Sequence, residues 1–235
     1  MSQPRDQFYD SGLGDLLIDP GRYPPSIQDY LYAEAELVES RQFSLLVEVG
    51  CMKGRYLDWC VARHKDYLGV DIVSRYVEAG LARVVAAGLD KDHYRLAVCS
   101  AANLDRLAKG MGWVRRTDAL IFFPFNSFGN MSDPKAVLGA IWRADVPVLI
   151  CTYQTNREAT QERWAYYRNC GYHGLVCEEN TMGVRFRSDD GLDTIAYRED
   201  YLLEICERLV RGVQVLPLGH IGQAYLVGSS CRTCR

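Results

Sequence analysis

Five short apolar runs punctuate the first two-thirds of this chain, and each is separated from the next by text of helical pattern. The runs are Leu45–Val49, Tyr67–Asp71, Tyr94–Cys99, Asp118–Phe123 and Val146–Thr152. They are close to continuously apolar rather than alternating, as strands buried on both faces must be. Ser74–Ala87 places Val77, Leu81, Val84 and Val85 on one helical face and closes at Gly88. Arg55–His64, Ala102–Lys109 and Asp133–Trp142 are the helices of the other gaps. Strands alternating with helices at this spacing dictate an α/β architecture, a mostly parallel sheet with helices on both faces.

The two ends depart from that rhythm. Residues 1–22 are polar and glycine-rich, and are expected to be loosely ordered until docked. Pro24-Pro25-Ser26 opens a helix whose apolar stripe is Ile27, Leu31, Ala35 and Val38. Residues 1–42 are therefore read as an N-terminal helical cap. Beyond the fifth run, Thr155–Arg168 is helical. Gly174–Arg187 and Leu192–Tyr197 form a hairpin about the turn Ser188–Gly191, and residues 155–200 make an insertion. A helix over Asp200–Val210 precedes two last strands, Val213–Leu216 and Gln223–Val227. Their link is too short for a helical crossover, so at least one runs antiparallel. The whole chain, 1–235, reads as one domain.

Composition narrows the function. A net charge of −3 offers no basic face for nucleic acid, and neither Arg115-Arg116 nor the pair Arg185 and Arg187 makes a phosphate track. No apolar stretch approaches the roughly 18 residues that span a bilayer. The first residues lack a secretory apolar segment, so the expected location is cytoplasmic, with no membrane partner. Nine cysteines are many, but Cys60, Cys99, Cys151 and Cys206 sit in apolar patterns and read as small buried hydrophobes. Cys231 and Cys234 supply only half of a zinc site, and no metal is expected.

The chemistry concentrates where the first run breaks, at Glu48-Val-Gly50-Cys-Met-Lys-Gly54. Gly50 lets the chain turn close to a ligand, and backbone N–H groups of the turn are expected to face it. Asp71 ends the second run, and its two oxygens can serve both hydroxyls of a ribose. A dinucleotide turn requires glycine at 52 and 55, where this chain has Met52 and Arg55, so no pyrophosphate fits. No Gly-Lys-Ser/Thr follows, which excludes a phosphate-binding P-loop. A nucleoside cofactor without a diphosphate suits the turn.

These residues resemble the class I S-adenosylmethionine-dependent methyltransferases. The acid-x-Gly-x-x-x-Gly turn is similar to that family's first motif, and Asp71 to its ribose-binding acid. Cys99-Ser-Ala-Ala-Asn103 falls where the family's third strand meets adenine, and Phe123-Pro-Phe-Asn-Ser127 ends the fourth strand beside the methyl donor. The likeness covers roughly residues 45–227. It implies a Rossmann-like seven-stranded sheet of order 3-2-1-4-5-7-6 with strand 7 antiparallel. It also implies S-adenosyl-L-methionine as cofactor and S-adenosyl-L-homocysteine as product. By resemblance, Glu48 and Gly50 hold the methionine part and Asp71 the ribose, with Cys51 and Ile72 also among the cofactor-binding residues. Ser100 and Ala101 lie at the adenine, with Phe123 and Asn126 near the sulfonium. The family's middle glycine is Met52 here, and its acid at the adenine edge is absent.

Methyl transfer from a sulfonium is an in-line displacement, so alignment matters more than acid–base chemistry. The acceptor-side candidates are Tyr23, Tyr30, Tyr32, Asn126, His173, Tyr197 and His220, with Asn126, His220 and Tyr30 as candidate catalytic groups. The cap and the 155–200 insertion are read as a lid over a small-molecule acceptor, an N- or O-nucleophile of the secondary-metabolite kind. A homodimer is compatible with this reading. The alternatives are a cofactor-binding protein with another reaction, or a scaffold. RNA methylation fits less well, because Asn126 sits in no Asn-Pro-Pro-Tyr arrangement.

Overall fold

The computed structural model describes residues 4–207 and 212–228. In chain order the cap contributes α1 (Pro4–Asp10), two 3-10 turns over Leu13–Ile18 and Pro20–Arg22, and α2 (Pro25–Glu39). There follow β1 (Leu45–Val49), α3 (Leu57–Ala62), β2 (Asp66–Asp71), α4 (Ser74–Ala86), β3 (Tyr94–Val98), α5 (Leu104–Met111) and β4 (Ala119–Phe123). Next come α6 (Pro134–Ala144), β5 (Val148–Tyr153), α7 (Arg157–Asn169), β6 (Val176–Glu179), β7 (Gly183–Arg187) and β8 (Asp193–Tyr197). The chain continues through α8 (Glu199–Glu207), β9 (Val213–Leu218) and β10 (Gly222–Val227).

The main sheet has seven strands in the order β3-β2-β1-β4-β5-β10-β9. β1 pairs in parallel with β2 and β4, and β10 runs antiparallel to both β5 and β9. This is the expected 3-2-1-4-5-7-6 order, offset only because three strands of a smaller sheet intervene in the numbering. The five residues of β1 and of β4 are all buried, as a central parallel strand requires. One face packs on α2, α3, α4 and α7 through residues such as Val38, Leu57, Val77 and Tyr166. The other packs on α5, α6 and α8 through Leu104, Ile141 and Leu202. The C-terminal ends of β1, β2 and β4 therefore meet at one edge, where the order turns from leftward to rightward and a crevice forms.

Four local expectations change. The insertion holds a three-stranded antiparallel sheet, β6-β7-β8, rather than a two-stranded hairpin. The Asn180 side chain accepts from the N–H groups of Met182 and Gly183 at 2.8 and 3.1 Å, and this side-chain turn splits the first arm in two. Helix α3 starts at Leu57, because the chain from Cys51 to Tyr56 is spent in tight turns. Residues 4–22 are folded against the body rather than loose. Asp15 accepts from Lys53 and Arg75, both at 3.0 Å, and from the Tyr76 hydroxyl at 2.5 Å. The hydroxyls of Tyr23 and Tyr166 both donate to the Leu17 carbonyl, and that of Tyr172 to the Leu13 carbonyl. Finally, the buried face of α2 is Ser26, Ile27, Tyr30, Glu34 and Val38, rotated from the predicted stripe so that a carboxylate lies in its middle. The expected helix over 200–210 runs past Glu207 outside the described residues, as does the Cys231/Cys234 pair.

Candidate functional site

A cavity of about 610 Å³ opens at the C-terminal ends of β1, β2 and β4, within the span of roughly 300–1,000 Å³ usual for ligand pockets. The cap residues Leu17, Ile18 and Tyr23 cover it, and α7 closes the side with Tyr166 and Tyr167. Its floor begins at the glycine turn. Gly50 and Gly54 have left-handed backbones, φ 76° and 82°, and Met52 between them has φ 49°. A Cβ on Gly50 would stand 2.9 Å from the Ser127 Cβ, so glycine is needed there for conformation and for space.

Most of the turn's donors are satisfied internally. The N–H groups of Gly50 and Cys51 donate to the Val70 carbonyl, and those of Gly54 and Arg55 to the Cys51 carbonyl. The Met52 N–H donates to Asp71 Oδ2 at 2.9 Å. Five turn donors expected to face a ligand are therefore bound within the protein, and of the N–H groups from Gly50 to Arg55 that of Lys53 is left.

Asp71 sits at the end of β2 with 8% exposure. Its second oxygen accepts from the Val73 N–H at 3.0 Å. The carboxylate, which lines the cavity, thus keeps lone-pair capacity. Burial pushes its carboxyl up, and the backbone N–H bonds of Val73 and Met52 counter that rise. The next side chain, Ile72, is 50% exposed despite being large and apolar, and it lines the cavity with Cys99 and Ala101. Such a side chain in a cavity wall offers an apolar contact surface.

At the end of β4 the chain makes an unusual bend. Phe125 and Asn126 both have positive φ, 45° and 60°. Two consecutive non-glycine residues in this region persist only where their surroundings hold them. Glu34 Oε2 accepts the Phe125 N–H at 2.7 Å, and the Cys151 carbonyl accepts the Asn126 N–H at 3.0 Å. The Asn126 amide is fully engaged: Nδ2 donates to Thr194 Oγ1 at 3.0 Å and to the Ile195 carbonyl at 3.1 Å, while Oδ1 accepts from Thr152 at 2.6 Å. The bend turns the Phe125 ring into the cavity, where its centroid lies 5.8 Å from Tyr23, 6.1 Å from Tyr153 and 5.8 Å from Tyr166. The guanidinium of Arg55 lies over that ring, 4.8 Å from its centroid.

Two buried carboxylates stand behind the wall. Glu34, fully buried, also accepts the Tyr56 hydroxyl at 3.1 Å. Burial raises its carboxyl, and Arg55 and the hydrogen bonds oppose the rise. Glu48 accepts the Tyr56 N–H at 3.1 Å and the Tyr67 hydroxyl at 2.6 Å, both through Oε2, while Oε1 is buried without a partner. Burial pushes Glu48 up to about 7, against the Tyr67 and Tyr56 hydrogen bonds. The Ser127 hydroxyl in the cavity wall is likewise buried with no hydrogen-bond partner.

Of the residues singled out from sequence, the structure gathers Gly50, Cys51, Asp71, Ile72, Ala101 and Asn126 into the cavity wall, together with Tyr23. Others stand elsewhere. Glu48 faces the helix side of β1, tying down the start of α3. Ser100 caps its own turn, accepting the Ala102 N–H. Phe123 packs edge-on against Phe128 in the opposite core, 5.3 Å away, because strand alternation sends it to that face; Phe125, two residues on and past the bend, turns in instead. Tyr30 is fully buried and stacks on Tyr153 behind the wall. His220 lies in the β9–β10 turn, 3.9 Å from Glu158, and His173 pairs with Asp190. Tyr197 packs on Phe128 and Tyr201, and Tyr32 is 68% exposed. Sequence reading missed Glu34, Arg55, Phe125, Tyr153 and Tyr166 as individual site residues. A carboxylate at four-residue spacing between Tyr30 and Val38 was the available signal for Glu34.

Among the described residues no helix is long and apolar enough to cross a membrane, and no cluster of three or more metal-binding side chains occurs. No protein-family model matches the chain, and no curated protein matches its sequence. Solved structures do. An S-adenosylmethionine-dependent methyltransferase from Clostridium acetobutylicum aligns over 86% of this chain and 91% of its own, at 13% identity and a TM-score of 0.55. A 1,6-didemethyltoxoflavin-N1-methyltransferase from Burkholderia thailandensis, solved with bound 1,6-didemethyltoxoflavin and S-adenosylhomocysteine, aligns over 97% and 90%, at 13% identity and a TM-score of 0.57. A methyltransferase from Methanosarcina mazei aligns over 87% and 95%, at 12% identity and a TM-score of 0.51. At these identities the likeness speaks to the fold, which is that of the class I S-adenosylmethionine-dependent methyltransferases.

Proposed function

We propose that this chain is an S-adenosylmethionine-dependent methyltransferase acting on a small molecule. The observation that carries the reading is Asp71, a carboxylate with lone pairs to spare, set beside the Gly50 turn at the mouth of a covered cavity. The residues fit the cofactor. Asp71 would accept the ribose diol, and Ile72 with Cys99 and Ala101 would hold the adenine between apolar surfaces. The buried, unpartnered Ser127 hydroxyl, against the Gly50 turn, is a polar group awaiting a ligand. Glu48 acts from behind, fixing the turn rather than touching the cofactor.

The cofactor supplies a methyl group already activated on sulfonium. What remains for the protein is to align the acceptor and exclude water. The cap and α7 supply the exclusion, through the aromatic wall of Tyr23, Phe125, Tyr153 and Tyr166. The described wall contains no histidine, and the Asn126 amide is spent on Thr194, Ile195 and Thr152. An acceptor that is nucleophilic as it arrives, such as a neutral amine or a ready anion, suits this wall better than one whose proton must be removed.

A labelled-methyl screen over amines, phenols, carboxylic acids and RNA tests the proposal. Transfer to a small molecule and not to RNA is expected. Cofactor binding with no transfer to any class would instead favour a different reaction on the same fold.

A further inference from the structure

Three cations line the cavity, and two of them are committed. Lys53 pairs with Asp15 at 3.0 Å. Arg83 pairs with Asp58 at 2.8 Å and donates to the Lys53 and Gly54 carbonyls. Arg55 is different. Among the described residues no acceptor lies within hydrogen-bond reach of its guanidinium and no carboxylate within 4.0 Å; its contact is the face of Phe125. Glu34 and Glu48 act on its charge only from a distance, and both carboxylates are occupied by Phe125, Tyr56 and Tyr67. Arginine keeps its charge under all ordinary conditions and offers five donors in a planar fork. A half-buried fork with no partner, in a cavity wall, is set for a planar anion.

The surroundings say what carries that anion. The Phe125 ring beneath the guanidinium is the hub of Tyr23, Tyr153 and Tyr166. The hydroxyls of Tyr23 and Tyr166 are turned away to the Leu17 carbonyl, so these rings show the cavity their apolar faces. The strained Phe125–Asn126 bend, pinned by Glu34, exists to aim this hub. A flat apolar body with one carboxylate at its edge matches rings plus fork.

We infer that Arg55 is the specificity-determining residue of the acceptor site, and that the methyl acceptor is a flat aromatic carboxylic acid held by a two-pronged Arg55–carboxylate contact over Phe125. This rests on the methyltransferase reading for its choice of acceptor over donor. The carboxylate is the handle, and another atom of the acceptor takes the methyl group.

The test uses the full chain and Arg55→Met, which keeps the stem and removes the charge. Calorimetry first measures S-adenosylhomocysteine, then 2-naphthoate, 1-hydroxy-2-naphthoate and indole-2-carboxylate with S-adenosylhomocysteine bound, and the primary amide of each acid as its neutral counterpart. The expected result is that at least one acid binds and its amide counterpart does not. Arg55→Met should then weaken that acid by roughly 10- to 100-fold, the worth of a charge-assisted contact. S-adenosylhomocysteine affinity should stay within about twofold. Loss of S-adenosylhomocysteine binding in Arg55→Met, with methylthioadenosine binding unchanged, would place the donor's own carboxylate on Arg55 and overturn the inference. So would equal binding of acid and amide, or no binding of any acid at millimolar concentration. If the wild-type protein binds no S-adenosylhomocysteine, the methyltransferase reading fails. The acids are then titrated into the protein alone, where Arg55-dependent binding still upholds the carboxylate site and its absence overturns it.

Discussion

Replacing Glu34 by Gln probes the device that aims the cavity wall. Glu34 is fully buried and serves two donors with two oxygens, Phe125 N–H at 2.7 Å and Tyr56 hydroxyl at 3.1 Å. Glutamine has one acceptor oxygen; if it keeps the Phe125 N–H, its amide can donate to the Tyr56 oxygen, but the Tyr56 hydroxyl proton is left without an acceptor. One buried donor then loses its acceptor, at a cost of about 1–3 kcal/mol. For a chain of this size each kcal/mol lowers the melting temperature by roughly 2–4 °C, giving a fall of about 2–12 °C. Tyr56→Phe alone removes the second donor. In the double variant the glutamine oxygen can turn wholly to Phe125 N–H, so the two losses should not add. Urea unfolding followed by circular dichroism on all four proteins should give a coupling of about 0.5–3 kcal/mol, the double variant being more stable than the sum. Additivity to within roughly 0.3–0.5 kcal/mol would refute the claim that Glu34 ties both groups together.

Other consequences are independent. Glu48 is raised to about 7 by burial, above its ordinary value of 4.5. The folded protein therefore holds this proton while the unfolded chain has released it, and stability falls as pH rises from about 4.5 to about 7. Because both hydrogen bonds use one oxygen, Glu48→Gln can keep them, and its stability relative to wild type should climb by up to about 3 kcal/mol between pH 5 and pH 8 in urea titrations. An unchanged difference across that range would contradict the assignment. Burial pushes Asp15 up, but hydrogen bonds from Arg75, Tyr76 and Lys53 overcome it and hold the carboxyl at about 2. The latch on the cap is thus intact at neutral pH and lost only as pH falls toward 2. Asp15→Asn should expose residues 4–22 to limited proteolysis at pH 7.5, where wild type resists; equal digestion would refute the latch. Gly50→Ala forces a left-handed alanine against Ser127 and should cost at least about 1–2 kcal/mol in the same unfolding assay.

The framework was legible because burial on both faces writes itself into β1, β2, β4 and β5 as apolar runs, and because short links leave β10 no choice but to turn back. Gly50 was legible because a left-handed turn favours glycine, and Asp71 because an acid ending an apolar run stands out; both line the cavity. What escaped depends on contacts across long sequence separations. Glu34 meets Phe125 across 91 residues, and no local pattern announces that a carboxylate inside a helix's buried face has its partners there. Phe123 and Phe125 look alike in sequence, and only the double left-handed bend decides which ring enters the cavity. Arg55 read as the residue that spoiled a dinucleotide motif; its meaning appears only once Phe125 is beneath it. Tyr30 and His220 were chosen by residue type, and packing placed them outside the cavity wall.

Binding of S-adenosylhomocysteine by wild type and Asp71→Ala tests the central claim most directly. At a hundredfold excess over the dissociation constant, a ligand that binds only the folded state adds about 2.7 kcal/mol, a rise in melting temperature of roughly 5–11 °C. Wild type should show that rise together with a saturable heat of binding. Asp71→Ala should show neither, because two hydrogen bonds from the ribose to a carboxylate, each worth about 1.5–3 kcal/mol, are gone. A folded wild-type protein with no heat and no shift at millimolar S-adenosylhomocysteine, or an Asp71→Ala variant that binds as well as wild type, would contradict the account.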